Sequence, residues 1–431
     1  MLNKIYYDGN LDSIIRKLNG RKEGNNKEVE NTVEKILEDV KINGDEAIIK
    51  YAKEFDGFKI NNISDIIVTE KEIKEGIRNT SDNFMRILQR ACEQITEFHC
   101  NQIDKSWSMY KENGVIMGQV VRPLERVAIY VPGGTAAYPS TVLMNAIPAV
   151  LAGVKEIVMI TPVKEDGKVP DIIIAAASVC GISTIYKVGG AQAIGAVAYG
   201  TKTIKKVNKI VGPGNIYVAT AKKLVFGTVG IDMIAGPSEV LIIADELANP
   251  KYIGADLMSQ AEHDKLSSAI LITTSEKLAD NVNKEIERQL SYLKRAEIIR
   301  SSLQNFGVSI IVKTIDEAFE ISNEIAPEHL EVLTKEPILQ LPKVKNAGSI
   351  FLGENSPEPL GDYMSGTNHV LPTSGTAKFY SALGVYDFVK YSSYSYYPKD
   401  VLETFKEDVV EFATLEGLDA HANSIKVRFE E

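Results

Sequence analysis

The sequence predicts an α/β protein with two Rossmann-like parallel-sheet domains plus helical N-terminal and C-terminal extensions. From about residue 124, short runs rich in Val and Ile alternate with helical segments, which is typical of βα units and a mainly parallel sheet. At 431 residues, the chain is long enough for two or more domains. The predicted strands are residues 127–131, 156–161, 184–188, 208–211, 239–244, 268–273 and 308–313.

The first hundred or so residues have the pattern of charged amphipathic helices. One face of the first predicted helix is formed by apolar residues three and four apart, Val29, Val33, Ile36 and Val40. Gly44 ends this helix. A second predicted helix also has one apolar face, which is formed by Phe84, Leu88, Ala91, Ile95 and Phe98. Thr69 and Glu72 have the spacing of a capping box upstream of this stretch. His99 follows it at a polar helix end, where we expect a surface residue.

Two later segments interrupt the βα pattern. The polar turn at residues 235–238 predicts a crossing between domains near Gly236. Residues 352–378 are rich in Gly and Pro, and a loop of that length in a compact domain is usually functional. From about Lys399 the tail returns to helical spacing.

Composition and charge narrow the class of protein. The chain has 48 basic and 58 acidic residues, a net charge of -10, which argues against capture of nucleic acid or of an anionic membrane surface. Cys92, Cys100 and Cys180 are too scattered for a disulfide framework, as expected in a reducing compartment. Lys4 and Asp8 lie where a signal peptide needs an apolar core, and no apolar run reaches about 18 residues. We therefore expect a cytoplasmic protein.

A candidate metal site begins with Gln260 and His263. These two residues are three apart on a predicted helix, 256–263, so both side chains would project from one face. A solvated polar helix end is the alternative interpretation. Asp362 and His421 complete a Gln, His, Asp and His set that suits zinc, although manganese or cobalt would accept the same ligands.

Glu328 and His329 form the candidate acid–base pair. Pro327 breaks the helix that runs through Phe319 to Ile325, so both polar side chains lie at a helix-to-strand junction. An exposed histidine beside a carboxylate is a reasonable general base at neutral pH. A capped helix end with a solvated histidine is the competing interpretation.

Three glycine-rich turns follow predicted strands: Gly133-Gly134, Gly189-Gly190 and Gly212-Pro213-Gly214-Asn215. Such turns allow backbone N–H groups to approach a pyrophosphate, although strand–turn packing alone could also require them. The last turn has Tyr217 where a dinucleotide fingerprint has a third Gly or Ala. If a nicotinamide cofactor binds at these turns, we expect a non-standard and weak binding mode.

These residues, taken together, resemble the histidinol dehydrogenase family over nearly the whole chain. The matching segments are Tyr130-Val131-Pro132-Gly133-Gly134, Gly189-Gly190-Ala191-Gln192-Ala193-Ile194, Gly212-Pro213-Gly214-Asn215, Ala235-Gly236-Pro237-Ser238-Glu239-Val240, Ser259-Gln260-Ala261-Glu262-His263, Pro327-Glu328-His329-Leu330, Gly361-Asp362-Tyr363-Met364-Ser365-Gly366-Thr367-Asn368-His369, and Glu416 with Ala420-His421. Each motif alone is weak, but the set is specific.

The resemblance implies a site in which protein side chains hold zinc, substrate and NAD. The implied zinc ligands are Gln260, His263, Asp362 and His421. The implied substrate-binding residues are Ser238, Gln260, His263, His329, Asp362, His369, Glu416 and His421. Glu328 and His329 are implied to be catalytic, and Tyr130, Gln192 and Asn215 to bind NAD.

The resemblance also implies the reaction and the organisation of the molecule. The reaction would be the zinc-dependent, NAD-linked oxidation of L-histidinol to L-histidine through bound L-histidinaldehyde, the last step of histidine biosynthesis. The protein would be a cytoplasmic homodimer whose tail completes the partner's site. The implied division is an N-terminal extension (1–21), a larger discontinuous domain with the metal and catalytic residues (22–127 and 238–381), an NAD-contacting domain (128–237) and a helical tail (382–431).

Three alternatives remain open on the sequence. A relative on the same scaffold could oxidise another small polar alcohol, although Glu416 and His369 favour histidinol. A zinc hydrolase would use Glu328 to activate water, with purely structural glycine turns. A non-enzymatic metabolite-binding protein is disfavoured by the Glu328–His329 pair.

Overall fold

A computed structural model gives the fold and describes residues 2–12, 15–16, 26–133 and 137–430. Residues 1, 13–14 and 17–21 of the predicted extension, and Gly134 of the first glycine-rich turn, lie outside the described residues. The strands are β1 (Asn3–Tyr6), β2 (Trp107–Tyr110), β3 (Ile116–Pro123), β4 (Arg126–Tyr130), β5 (Glu156–Thr161), β6 (Thr184–Lys187), β7 (Lys209–Val211), β8 (Gly230–Ile231), β9 (Glu239–Ala244), β10 (Ser268–Thr273), β11 (Gly307–Ile311), β12 (His329–Leu333), β13 (Ser349–Leu352) and β14 (Val389–Tyr396).

The helices alternate with these strands. They are α1 (Asn26–Asn43), α2 (Asp45–Phe55), α3 (Glu70–Asn79), α4 (Asp82–Cys100), α5 (Pro139–Ala152), α6 (Asp171–Val179), α7 (Gly190–Tyr199), α8 (Ile216–Val225), α9 (Pro250–Ala261), α10 (Glu276–Leu290), α11 (Ala296–Phe306), α12 (Ile315–Ile325), α13 (Pro337–Gln340), α14 (Glu358–Tyr363), α15 (Lys399–Thr404), α16 (Lys406–Leu415) and α17 (Asp419–Lys426). Short 3₁₀ turns lie at Ile63–Ile66, Leu341–Lys343, Thr376–Lys378, Val385–Phe388 and Val427–Phe429. Every described helix is too short or too polar to cross a membrane.

The described chain divides into two compact units, of which the first, Met1–Gln102 with Leu124–Phe388, contains both parallel sheets. The six-stranded sheet has the order β1-β11-β10-β9-β12-β13. Its central strands are buried along their whole length, as expected for a parallel sheet covered on both faces. The chain builds outward from β9 and then returns to place β12 on its other side.

The five-stranded sheet has the same winding, with the order β6-β5-β4-β7-β8. Here the chain starts at β4, adds β5 and β6, and returns to place β7 on the other side of β4. Ligands of such sheets bind outside the carboxyl ends of the strands at this reversal, which lies between β4 and β7. Residues 235–238 link this sheet to β9. The two Rossmann-like sheets agree with the predicted fold class.

The N-terminal helices pack on the five-stranded sheet. Val33, Ile36 and Val40 of α1 share one buried core with β4 to β7, and the Thr69–Glu72 capping box starts α3 as its spacing predicts. The predicted domain division places residues 22–127 with residues 238–381 instead, and that division remains a prediction. Residues 3–6, within the predicted helical extension, form the edge strand β1 because they pair with β11.

The expectation that His99 lies on the surface was wrong. Its side chain is fully buried, with Nδ1 2.8 Å from the Ile95 carbonyl oxygen and Nε2 3.4 Å from the amide nitrogen of Asn368. The segment around Asn368, which is 269 residues away in sequence, covers this end of the helix. Helical periodicity gives no information about such a long-range contact.

The second unit comprises Ile103–Pro123 and Val389–Glu431. Its antiparallel sheet has the order β14-β3-β2, with Tyr391 opposite Val121 and Tyr394 opposite Gly118. Helices α15, α16 and α17 follow, which confirms helical spacing after Lys399. The Tyr-rich segment at 391–397 lies largely in β14.

Candidate active site

The catalytic candidates lie at the amino ends of β9 and β12, which are neighbours in the six-stranded sheet. Helix α12 ends at Ile325, Ala326 adopts a left-handed conformation with φ 52°, and Pro327 prevents further helix. The chain therefore turns directly into β12, which starts at His329. The predicted helix-to-strand junction is confirmed.

Glu328 is held in a fixed orientation by backbone and side-chain donors. Its Oε2 accepts the Glu239 N–H at 2.8 Å and lies 3.4 Å from the Gln260 amide nitrogen. Burial, with the nearby charge of Glu239 and other carboxylates, raises the pKa of Glu328 well above its usual range, although the backbone N–H opposes this. The carboxylate is thus a much stronger base than an exposed glutamate.

The His329 ring is fixed through one nitrogen. Nδ1 lies 3.0 Å from the Glu239 carbonyl oxygen, which can only accept, so we assign the proton to Nδ1 and a free lone pair to Nε2. Nε2 is buried without a hydrogen-bond partner among the described residues. Burial lowers the pKa of His329 to about 4, so the ring is neutral at pH 7. A neutral, oriented imidazole is the state that a general base requires.

The prediction that His329 would be exposed was wrong. His329 is 4% and Glu328 7% exposed, because β12 is an inner strand and its first residue lies beside Val240 of β9. The interpretation of a solvated histidine at a capped helix end is therefore excluded.

Helix α14 supplies two further carboxylates, Glu358 and Asp362. Glu358 Oε1 lies 3.8 Å from His329 Nε2, and Glu358 Oε2 accepts the Ser259 hydroxyl at 3.1 Å. Burial and the Asp362 charge raise the pKa of Glu358 to about 9. Burial would also raise the pKa of Asp362, but the hydrogen bond with His369 and the charges of the nearby histidines lower it to about 2.

The cluster has the donor atoms of a metal site. Ligand atoms of His329, Glu358 and Asp362 lie within 4.8 Å of one another. Gln260 Oε1 and Glu358 Oε1 are buried without hydrogen-bond partners in the part of the chain that the structure describes. Buried nitrogen and oxygen atoms that lack partners, surrounded by carboxylates, fit a divalent cation such as zinc.

The predicted helix at 256–263 was too long. Helix α9 ends at Ala261, and His263 lies in the turn that follows, where Asp264 accepts the Leu266 N–H at 2.8 Å. Gln260 is fully buried, whereas His263 is exposed. Both side chains remain near the cluster, since Gln260 contacts Glu328 and the His263 charge acts on Asp362.

The second part of the site is a cavity of about 1340 Å³ at the five-stranded sheet. Tyr130, the last residue of β4, lines it together with Gln192 and Asn215, and the Tyr130 hydroxyl accepts the Gly190 N–H at 3.2 Å. Gly212 has φ 108°, and a Cβ there would collide with the Tyr130 carbonyl oxygen. The turn after β7 therefore needs glycine to lie this close to β4.

Asn215 caps α8 beside this cavity. Its Oδ1 accepts the N–H groups of Tyr217 and Val218 at 3.1 and 3.2 Å, which starts the helix immediately after the glycine-rich turn. Gln192 is buried, and its amide nitrogen has no hydrogen-bond partner among the described residues. The cavity lies at the carboxyl ends of β4 and β7, where a doubly wound sheet binds a nucleotide.

Comparisons with known proteins agree with this arrangement. The family model described as histidinol dehydrogenase matches residues 19–429. A histidinol dehydrogenase of Lactococcus lactis subsp. lactis is 66% identical over 431 residues, which cover 100% of both chains. The chain belongs to the histidinol dehydrogenase family. It is therefore an enzyme, an oxidoreductase.

More distant members of the family support the same assignment. A histidinol dehydrogenase of Clostridium acetobutylicum is 55% identical over 428 residues, covering 99% of each chain. The crystal structure of histidinol dehydrogenase from Elizabethkingia anophelis has a TM-score of 0.93 and 39% identity, covering 99% of this chain and 98% of that one. The family resemblance and the α/β fold predicted from the sequence are confirmed.

The predicted site residues of this histidinol dehydrogenase family member fall into three places. The cluster at β9 and β12 contains Gln260, His263, Glu328, His329, Asp362 and His369, with Ser238 directly before β9. The cavity at β4 and β7 contains Tyr130, Gln192 and Asn215. Glu416 and His421 lie in the second unit, where both are exposed.

Sequence reasoning missed Glu358. It lies between two prolines in a segment interpreted as loop, yet it is buried within the catalytic cluster. The available signal was its spacing of four residues from Asp362, which places both carboxylates on one side of a helical turn.

Sequence reasoning also missed a buried ion pair that holds the glycine-rich turn of this family member. Lys222 and Asp232 form a salt bridge with both side chains almost completely buried. Lys222 Nζ donates to the Gly212 carbonyl oxygen at 2.9 Å, and Asp232 Oδ2 accepts the Gly212 N–H at 2.7 Å. One ion pair therefore fixes both backbone groups of the residue that packs against Tyr130.

Replacing Lys222 by Met is expected to lower the free energy of unfolding by about 3–5 kcal/mol, because it leaves the Asp232 carboxylate buried without its counter-ion. Lys223→Met is the matched control, since Lys223 is exposed and its salt bridge with Glu30 should contribute less than about 1 kcal/mol. Urea denaturation measures both. Equal losses of stability in the two variants would contradict a stabilising role for the buried Lys222–Asp232 pair.

Proposed function

We propose that the protein catalyses the zinc-dependent, NAD-linked four-electron oxidation of L-histidinol to L-histidine through bound L-histidinaldehyde, the last step of histidine biosynthesis. The observation that carries the proposal is the His329 ring, whose Nδ1 is fixed by the Glu239 carbonyl while Nε2 has no hydrogen-bond partner among the described residues and faces the Glu358 carboxylate. The family's name indicates the substrate.

Gln260, His263 and Asp362 are the proposed zinc ligands of this subunit. The unpartnered Gln260 Oε1 and the low pKa of Asp362, which keeps it ionised, both suit a cation. When bound, zinc would orient the amine and imidazole of the substrate and supply positive charge beside the alcohol. Glu358 Oε1 lies in the same cluster and faces His329.

His329 is the proposed general base for both oxidations. Its Nε2 accepts the alcohol proton as a hydride leaves for NAD, and the Glu239 carbonyl stabilises the imidazolium that results. Nε2 must then release this proton to water. After the aldehyde is hydrated, the same nitrogen accepts a proton from the diol as the second hydride leaves for a second NAD. Each turnover therefore produces two NADH.

Glu328 is the proposed base for hydration of the aldehyde. Its raised pKa makes the carboxylate a good acceptor for a proton of the attacking water. The N–H of Glu239 holds Oε2 at 2.8 Å, which leaves the other oxygen to act on the water. Hydration is needed only before the second oxidation, so Glu328 and His329 have separable roles.

Tyr130, Gln192 and Asn215 are proposed to bind NAD. The cavity that they line is large enough for a dinucleotide cofactor, and the N-terminus of α8 suits an anionic pyrophosphate. The proposed NAD-contacting domain is 128–237, and residues 22–127 with 238–381 are proposed as the larger domain.

A homodimer is proposed to complete each site. Glu416 and His421 are exposed polar residues of the helical tail, 382–431, and would contribute to the site of the other subunit. His421 would complete the zinc ligands, and Glu416 would contact the substrate with Ser238 and His369. The proposed location of the dimer is the cytoplasm.

Zinc titration of an Asp362→Asn variant tests the metal site. We expect affinity for zinc to fall at least about 100-fold, with loss of NADH formation from L-histidinol. Substitution of residues that only orient metal ligands already lowers metal affinity or activity about 10- to 100-fold. Asp264→Asn is the matched control, because Asp264 is exposed and an Asn there can still accept the Leu266 N–H. Zinc affinity unchanged in Asp362→Asn would contradict the site, and no NADH from wild type with zinc would contradict the function.

A further inference from the structure

The cavity at the five-stranded sheet contains a carboxylate that the proposed reaction leaves unused. Asp56 lines it together with Tyr130 and Gln192, and Asp56 is the residue that caps the C-terminus of α2. Burial, with a smaller contribution from the nearby Asp56 charge, raises the pKa of the Tyr130 phenol to about 12.

The position of Asp56 is electrostatically unfavourable. Its Oδ2 is buried without a hydrogen-bond partner among the described residues. Burial raises the pKa of Asp56 to about 6. The carboxylate also lies at the C-terminal end of a helix, where the exposed carbonyl groups disfavour negative charge. A ligand with hydrogen-bond donors would relieve these costs.

Two other acidic groups at this cavity already have partners, and Glu165, which also lines it, is exposed. Asp166 accepts the Lys168 N–H at 3.2 Å, and Asp171 lies 3.3 Å from the Asn79 amide nitrogen. Lys164 and Lys168 also line the cavity and supply positive charge for phosphates elsewhere in it. Among the described residues, Asp56 Oδ2 is thus the carboxylate oxygen at this cavity that is buried and has no hydrogen-bond partner.

We propose that Asp56 binds the hydroxyl groups of the adenosine ribose of NAD and thereby selects NAD over NADP. This rests on the proposed NAD-linked function. A carboxylate can accept hydrogen bonds from both hydroxyls of a vicinal diol, which is how doubly wound sheets recognise a ribose of NAD. A 2′-phosphate placed against a buried carboxylate would bring two like charges together in a poorly solvated site, which strongly disfavours binding.

Fluorescence titrations with NADH and NADPH test the proposal on zinc-loaded wild-type protein and on Asp56→Asn. We expect wild type to prefer NADH, and the preference to fall at least tenfold in Asp56→Asn, because repulsion of the phosphate is removed and the diol loses a charged acceptor. The KM for histidinol should change less than twofold. Asp56→Ser serves as a second variant, and thermal unfolding monitors the fold of both.

Asp166→Asn is the matched control, because it removes a carboxylate that is exposed and already hydrogen-bonded. Its preference for NADH should stay within twofold of wild type. If wild type prefers NADH but folded Asp56→Asn and Asp56→Ser keep the same ratio, the role of Asp56 is wrong while the proposed function stands. If wild type binds neither nucleotide, the proposed NAD-linked function fails, and this inference fails with it.

Discussion

Replacing His329 by Asn is expected to lower kcat for histidinol oxidation by about 100- to 10,000-fold, because the protein loses the base that accepts a proton in both oxidations. The Asn amide can occupy the position of Nδ1 and donate to the Glu239 carbonyl, which His329 Nδ1 now approaches at 3.0 Å. The substitution therefore removes Nε2 while retaining the local hydrogen bond. Initial rates of NADH formation from L-histidinol and from L-histidinaldehyde measure the two steps.

Zinc content and NADH binding serve as controls for the His329→Asn variant, since neither is assigned to Nε2. Both should remain close to wild type. Retention of more than about a tenth of the wild-type kcat, in a variant that binds zinc and NADH normally, would show that another group removes the protons.

Replacing Glu328 by Gln is expected to separate the two half-reactions. Oxidation of histidinol to the aldehyde should continue at close to the wild-type rate, while oxidation of the aldehyde slows by about 100-fold or more, because no carboxylate activates water. The Gln oxygen can still accept the Glu239 N–H that Glu328 now accepts at 2.8 Å, so the position of β9 against β12 is retained. Rates with each substrate supplied separately measure the effect.

The ratio of the two rates decides the role of Glu328. A large selective loss of aldehyde oxidation supports a base for hydration. Equal losses in both half-reactions would remove that role and indicate that Glu328 acts by orienting Gln260 and His329, which it contacts in the buried cluster.

Strands β4 to β7 and β9 to β11 were predicted from the sequence because buried parallel strands are nearly continuous runs of Val and Ile. The predicted 239–244 and 268–273 coincide with β9 and β10. For β12 only the junction at which it begins was predicted and not its extent, since it starts with a polar histidine. Strand β14 was missed, because it is exposed and rich in Ser and Tyr and so lacks the pattern of a buried strand.

The location of the proposed catalytic pair was predictable because its signal is local. Pro327 ends a helix beside two ionisable residues, and that boundary can be found in one stretch of sequence. The burial of His329 was not predictable, since it depends on contacts with Glu239 and Gln260, which are 90 and 69 residues away. Long-range pairing, rather than local propensity, determines the protonation states of this site.

Asp56 and the Lys222–Asp232 pair illustrate the same limit of local patterns. Charged residues near helix ends are usually solvated, so neither attracts attention in the sequence. The fold buries the Lys222–Asp232 pair at the turn after β7 and the Asp56 Oδ2 atom at the cavity beside Tyr130.

The measurement that tests the central claim most directly is the ratio of NADH formed to histidine formed from L-histidinol, by metal-depleted protein before and after zinc is added. Two NADH per histidine, with activity that returns on addition of zinc, is the predicted result. A folded, zinc-loaded protein that forms no NADH from histidinol, or one NADH with the aldehyde as final product, would contradict the account.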